Sequence, residues 1–266
     1  MMQTKTEITT RRAPVFATRV AQTAEDRIAA QRLRYAVFVT ELGGDGPLVD
    51  HAAALERDAF DDHADHILLL DETRAREDQV VGVYRVMTAE MAQAAGRFYS
   101  AKEYDLTPLF RSGKRLLELG RSCLHADYRG GAGMQHLWSA LASYVKARDI
   151  EVLFGVASFH GTDVAALAGP LSLLYHRHLA PPPLRVKAIG PTALSMNLIP
   201  ADRLDRAAAV RQLPALIKAY LRLGGTVGEG AFVDPAFNTV DICVILESAA
   251  VNEMRRAFLA GGLGRG

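Results

Sequence analysis

The spacing of apolar side chains changes period several times along the chain, and each change marks an element. Residues 15–21 (VFATRVA) have strand composition, and Thr23 then offers an N-cap with Asp26 three positions on. A helix is expected from there to about Leu42, where Gly43, Gly44, Gly46 and Pro47 stop it. Along it Ile28, Tyr35, Val39 and Leu42 recur at helical spacing and are expected to form the buried stripe, with Arg34, Phe38 and Glu41 sharing a neighbouring face. HILLL (66–70), QVVGVYRVM (79–87) and RLLELGRSCL (115–124) read as strands separated by polar or glycine-containing stretches, which suggests an antiparallel meander.

Downstream of a cluster of glycines, Met134, Leu137, Trp138, Leu141, Tyr144 and Val145 mark an amphipathic helix, followed by the strand EVLFGVAS (151–158). A second helix is expected near 162–178, a break at Pro181–Pro183, strands at 184–189 and 193–198, a helix over 205–223 and a strand at 240–247. The expected organisation is a tail over 1–14, a core over 15–200, an extension over 201–260 packed on that core, and a tail over 261–266.

Composition narrows the function classes. Thirty-one basic against thirty acidic side chains leave a formal charge of +1, so no global field recruits nucleic acid or an anionic membrane. The first dozen residues lack a signal-peptide core, and no stretch approaches the roughly 18 apolar residues of a membrane span, so a cytoplasmic protein is expected. Cys123 and Cys243, each among apolar residues, read as reduced core thiols. The histidines have no metal-ligand spacing: His176 and His178 are two apart on an expected helix, and no HExxH or Cys-His set exists, so no metal is expected.

The glycine cluster carries the first chemical signal. YRGGAG places Arg129, Gly130, Gly131 and Gly133 at a helix N-terminus, where free amides and the helix dipole favour a phosphate and glycines let it approach. It is neither GxxxxGK[ST] nor GxGxxG. A plain strand-to-helix turn remains the alternative.

A strand, Arg-Gly-Gly-x-Gly and a helix resemble the donor loop of the GCN5-related N-acetyltransferase superfamily, whose amides hold the pyrophosphate of coenzyme A or the phosphate of a phosphopantetheine arm. RYAVFVTELG (34–43), ERDAFDDHADHILLLD (56–71), VVGVYRVM (80–87) and ELGRSCL (118–124) are similar, in order and spacing, to acyl-homoserine lactone synthases and their relatives, the ornithine N-acyltransferases of lyso-ornithine lipid synthesis. Gly44 stands where the lactone synthases have a tryptophan after their VFxxxLG motif, and residues 217–247 are similar to the ornithine-lipid branch. The resemblance implies an α/β fold, with a mixed, mostly antiparallel sheet flanked by helices. It also implies transfer of a fatty acyl group, usually 3-hydroxylated, from acyl carrier protein to the α-amine of ornithine. No permanent cofactor is expected, the acyl-phosphopantetheine of the carrier being the donor. Glutamine or another amino acid as acceptor, lactone synthesis, and a non-catalytic module binding carrier protein or lipid are the alternatives.

Attack on a thioester needs a neutral amine, so a proton acceptor is required, and Glu118 on the strand before the glycines is the candidate. Its alternative is an ion-pair partner for Arg121 or Arg85. Strict alternation separates Glu118 from Arg121, and a bulge at Gly120 would bring both to one cleft as the catalytic pair. Asp58 and Asp61 match acidic positions of the related synthases and suit the cationic acceptor, while Arg34, Phe38, Arg85 and Arg121 match the family's arginine and aromatic positions. The arginines suit the acceptor carboxylate or an ion-pair web with Asp58 and Asp61. His125, Ser158 and His160 are minor candidates for orienting the loop or polarising the carbonyl. Arg111, Lys114, Arg115, Lys146 and Arg148 are the expected basic rim for an acidic carrier protein, and a helix with Met254, Arg255, Arg256, Phe258 and Leu259 is the candidate for peripheral contact with the inner membrane.

Overall fold

The computed structural model describes residues 13–249. Its main sheet contains β1 (Phe16–Val20), β2 (Asp65–Asp71), β3 (Val80–Thr88), β4 (Leu116–Leu124), β5 (Val152–His160), β6 (Ala231–Asp234) and β7 (Thr239–Glu247). The spatial order is β1-β2-β3-β4-β5-β7-β6, with a two-residue strand at Ala193–Leu194 beyond β6. Along this path only β4 and β5 run parallel. They are joined by the helical crossover α2 (Gly133–Ala147).

Helices cover both faces. Leu68 and Leu70 of β2 meet Ala30 and Leu33 of α1 (Ala24–Arg34), whereas Ile67 and Leu69 face the cluster containing Leu137 and Leu141 of α2. That is why β2 reads as an unbroken apolar run rather than an alternating one. α1 starts where its capping box predicts, with Asp26 N donating to Thr23 Oγ1 at 3.2 Å.

Four expectations change. The helix of α1 continues over Tyr35–Glu41 in the wider π form, with Leu42 N donating to Val37 O. Its buried face is Ala30, Leu33, Arg34 and Val37, while Ile28 and Leu42 are exposed. A charged web, described below, occupies this face, so apolar periodicity alone selects the wrong stripe. The expected extension over 201–260 is no appendage, because β7 enters the sheet beside β5 and keeps nine register pairs with it. Pro214 splits the expected helix over 205–223 into α3 (Arg206–Gln212) and α4 (Ala215–Arg222). The strands expected at 184–189 and 193–198 shrink to the pairs Lys187–Ala188 and Ala193–Leu194. Among the described residues no helix is long and apolar enough to cross a membrane. The helix proposed around Met254–Leu259 lies outside the described residues. Cys123 and Cys243 are buried free thiols, and burial pushes Cys123 up to about 12.

Candidate active site

β4 and β5 pair through Leu116–Val152, Leu117–Leu153 and Glu118–Phe154, and there their ladder ends. Each strand contributes a local cause. A Cβ on Gly155 would meet the Leu119 carbonyl oxygen at 2.1 Å, so glycine alone permits the close approach at the apex. On β4, Arg121 and Ser122 together oppose Tyr84 of β3, a bulge that turns the strand away. Arg121 adopts φ +49° within it, a conformation uncommon for a residue with a side chain. The bulge expected at Gly120 is therefore present, centred one residue later.

A cavity of about 240 Å³ fills the opening between Leu119–Ser122 of β4 and Val156–Ser158 and His160 of β5. Strand alternation tells which sheet face each wall belongs to. Ala157 shares a cluster with Tyr84 and Tyr220 on the α2 face, and Leu216 of α4 joins them in the lining. Asp241 and Thr239 have the parity of Cys243 and Ile245, which lie in the other cluster with Phe98 and Tyr104. The cavity thus crosses the sheet, apolar on one face and acidic on the other.

On the acidic face stands a buried web of three arginines and three carboxylates. Arg34 Nε pairs with Glu56 and its Nη1 donates to Asp61 Oδ1 at 2.7 Å. Arg85 donates to Asp58 and to Asp61 (2.9 Å), and Arg121 to Glu56 (3.1 Å) and Asp58 (3.0 Å). Gln31 donates to the second oxygen of Asp61 at 2.9 Å. Burial alone would raise these carboxyls, but Arg34, Arg85 and Arg121 more than offset it and hold Glu56, Asp58 and Asp61 below their ordinary values. Of the two roles expected of these arginines, the structure holds the ion-pair web with Asp58 and Asp61, and within it the charges of Asp58, Asp61, Arg34 and Arg85 are matched by one another. Phe38 and Arg121 do line the cavity. Phe38 reaches the cavity, whereas Arg34, one turn earlier on the same helix, is fully buried in the web.

Glu118 does not line the cavity. Its Oε1 accepts from Ser100 N (2.7 Å) and Ser100 Oγ, and its Oε2 from Tyr99 N (2.8 Å). The Tyr99 ring lies under Arg121 at 4.7 Å and screens the carboxylate from the opening. The bulge brings Glu118 and Arg121 to one residue, Tyr99, rather than to a shared cleft. Glu118 holds the 99–100 segment in place, a structural role beside the expected one as base, and burial raises its carboxyl above the ordinary value.

At the far end of β4, Arg129 makes a bidentate pair with Glu41 and donates to Leu124 O. Gly130 takes φ +73°, and a Cβ on Gly131 would meet nothing within 4 Å, so the loop is open. Ala132, the N-cap of α2, supplies no side-chain acceptor, which leaves the helix N-terminus available to an anion. The expected basic rim is elsewhere. Lys114 and Arg115 precede β4, about 30 Å of strand from this loop. Lys146 and Arg148 lie at the opposite end of α2, and Lys114 and Arg148 pair with Glu247 and Asp65.

The sequence reading missed three carboxylates. Glu103, Asp234 and Asp241 bring one oxygen each within 4.8 Å of one another, and Asp234 and Asp241 line the cavity. Burial, reinforced by their mutual repulsion, raises Glu103 to about 8 and Asp241 to about 6. An acid at the second position of the apolar run VDICVILE was the readable signal for Asp241, whereas Glu103 sits in a loop with none. Because these folded values lie above the unfolded ones, the folded state holds extra protons between about pH 4 and 8, so stability falls as pH rises through that window. Urea unfolding at pH 5.5, 7 and 8.5 is expected to show a loss of a few kcal/mol across the range in the parent and a flatter profile in Glu103→Gln.

The chain has measurable relatives. Residues 33–139 match the model of the acetyltransferase (GNAT) domain. The chain is 57% identical over 242 residues to the L-ornithine N(alpha)-acyltransferase of Rhodobacter capsulatus, covering 90% of this chain and 93% of that protein. It is 40% identical over 222 residues to the protein of the same name from Brucella abortus, covering 82% and 79% respectively. Among solved structures, an N-acyl amino acid synthase from uncultured soil microbes, FeeM, aligns over 91% of this chain and 96% of its own with a TM-score of 0.52 at 13% identity, which speaks to the fold alone.

Proposed function

This chain belongs to the L-ornithine N(alpha)-acyltransferase family, and from that premise we propose that it moves a 3-hydroxyacyl group from acyl carrier protein to the α-amine of ornithine. The observation that carries this reading is a cavity that crosses the sheet between two parting strands, apolar on one face and acidic on the other. A thioester donor and a cationic acceptor need those two surfaces and a shared opening in which to meet.

The open glycine loop suits the phosphate of a phosphopantetheine arm, which would then run down the opening between β4 and β5. Beyond Phe154 the backbone groups of the two facing strand edges are free of the β4–β5 ladder and can bond the arm and the thioester oxygen. The acyl chain takes the apolar wall. There the Tyr84 and Tyr220 hydroxyls bond each other, and the buried Ser122 Oγ and Trp138 Nε1 stand beside Tyr84 without a well-formed hydrogen bond. A hydroxyl on the third carbon of the chain would satisfy such groups. Arg121, the web arginine that borders the cavity, bonds Glu56 and Asp58 through Nε and Nη2 and turns only its remaining edge to the acceptor carboxylate. The neutral α-amine attacks the carbonyl carbon, the C–N bond forms and the C–S bond breaks. The thiolate leaves to be protonated, and the amine's proton passes to water or to His160 on the β5 wall.

The test is transfer in vitro from 3-hydroxyacyl carrier protein to a panel containing ornithine, lysine, glutamine and S-adenosylmethionine, read as free thiol and as product mass. Transfer to ornithine is expected to be fastest, and Arg129→Ala is expected to raise the donor KM roughly 10-fold with less change in kcat. Absence of thiol release with every amine would remove the reading. Preference for glutamine would replace the acceptor, and equal use of an acyl-coenzyme A would replace the donor.

A further inference from the structure

We propose that Glu103, Asp234 and Asp241 form the seat for the side-chain ammonium of a diamino-acid acceptor. This rests on the acyltransferase reading above and assigns within it the part of the molecule that selects the acceptor. The web carboxylates cannot do this, because each already has guanidinium partners. The triad is the opposite case. Glu103 and Asp241 are 2% and 4% exposed, and Glu103 Oε2 and Asp241 Oδ1 have no hydrogen-bond partner, in a place where an unmatched carboxylate is costly. The nearest guanidinium, that of Arg121, is committed to Glu56 and Asp58.

The frame around these oxygens is rigid. Tyr104, next to Glu103, donates its hydroxyl to the carbonyl of Asp241 at 3.0 Å, and Ile189 N donates to Glu103 O at 2.8 Å. Asp234 accepts from Ala236 N at 2.9 Å through Oδ1. An incoming ammonium has three donors for three carboxylates. A hard divalent cation would have to complete its shell of about six oxygens with water or with second carboxylate oxygens, and the EDTA arm below distinguishes it from an ammonium.

Position also favours the side-chain ammonium over the reacting amine. Attack occurs near the apex at Gly155, and Asp241 pairs with Ser158, three residues further along β5 and so about 10 Å away. The four carbons between the two amines of ornithine, with one hydrogen bond at the end, span that distance. The α-amine, which must be neutral when it attacks, is then held clear of the acids, while the side-chain ammonium keeps its charge throughout.

The experiment compares ornithine as substrate with norvaline, which has the same carbons without the side-chain amine, as competitor, in the parent, Asp241→Asn and Glu103→Gln. In both variants the ornithine KM is expected to rise roughly 10–100-fold while the norvaline Ki stays within about 2-fold, so that discrimination between the two collapses. The unchanged norvaline Ki shows that the variant is folded. An unchanged ornithine-to-norvaline ratio, or equal weakening of both ligands in both variants, overturns the proposal. So does loss of discrimination in the parent on treatment with EDTA and its return with magnesium, which would make the triad a metal site. If the parent transfers nothing to ornithine, the acyltransferase reading itself has failed, an outcome distinct from an active parent whose variants discriminate as it does.

Discussion

Arg34→Met is expected to destabilise the protein by about 3–5 kcal/mol, lowering its thermal midpoint by about 10 °C. The side chain is fully buried, and its guanidinium contacts Glu56 and Asp61, themselves 1% and 3% exposed. Removing it leaves two carboxylates in a place water does not reach. Arg121 and Arg85 remain to compensate only one contact each, so the web changes from three charges of each sign to an excess of negative charge. Adding Glu56→Gln to Arg34→Met is therefore expected to recover part of the loss, a coupling that a double-mutant cycle reads directly. Arg34→Lys is expected to rescue poorly, because one ammonium cannot span carboxylates on two sides as a planar fork does. A loss below about 1 kcal/mol for Arg34→Met would show that the web contributes little net stability. In the parent the same carboxyls titrate below their ordinary values, so their contribution is present near neutrality and is lost as pH falls below about 4. This acid limb is distinct from the alkaline loss that Glu103 and Asp241 produce.

How much of this was legible follows from what each feature depends on. β2, β3, β4, β5 and β7 are local runs of apolar and β-branched residues, and α2 is an amphipathic helix; both signals survive in a single sequence. The glycine loop and the arginines were found because their residue types are unusual for where they stand. Of their partners Asp58 and Asp61 were named and Glu56 was not, because a buried ion pair is a property of distance: Glu56 lies in the same quoted motif, yet only the fold shows it between Arg34 and Arg121. The face of α1 was misassigned for the same reason, since its most buried large side chain is an arginine. The C-terminal strand was found but its neighbour was not named, because nothing local states which strand β7 will choose. The carboxylate triad joins the end of β6 and the start of β7 to a loop before Tyr104 that lies more than 130 residues earlier in the chain.

Gly155→Ala is expected to reduce kcat by about 100-fold and to destabilise the fold by about 1–3 kcal/mol. The added methyl would meet the Leu119 carbonyl oxygen at 2.1 Å, with Leu119 C and N also near 3.1 and 3.2 Å, so backbone and not a flexible side chain must move. β5 cannot yield, since it is fixed by nine pairs to β7. β4 must shift at the residue where its pairing to β5 ends and just before the bulge that carries Arg121. Leu119 to Ser122 form one wall of the cavity, so a displacement near 1 Å there misaligns the donor opening with the acceptor side. Gly131→Ala separates this effect from a general sensitivity of glycines. A methyl at Gly131 meets nothing within 4 Å, and its loop holds no strand in register, so stability is expected to be unchanged while the donor KM rises as the methyl obstructs the phosphate. Comparing kcat, donor KM and urea midpoint for the two variants assigns the apex to alignment and the loop to donor binding. Similar profiles for both would show that the opening between β4 and β5 does not position the reacting groups.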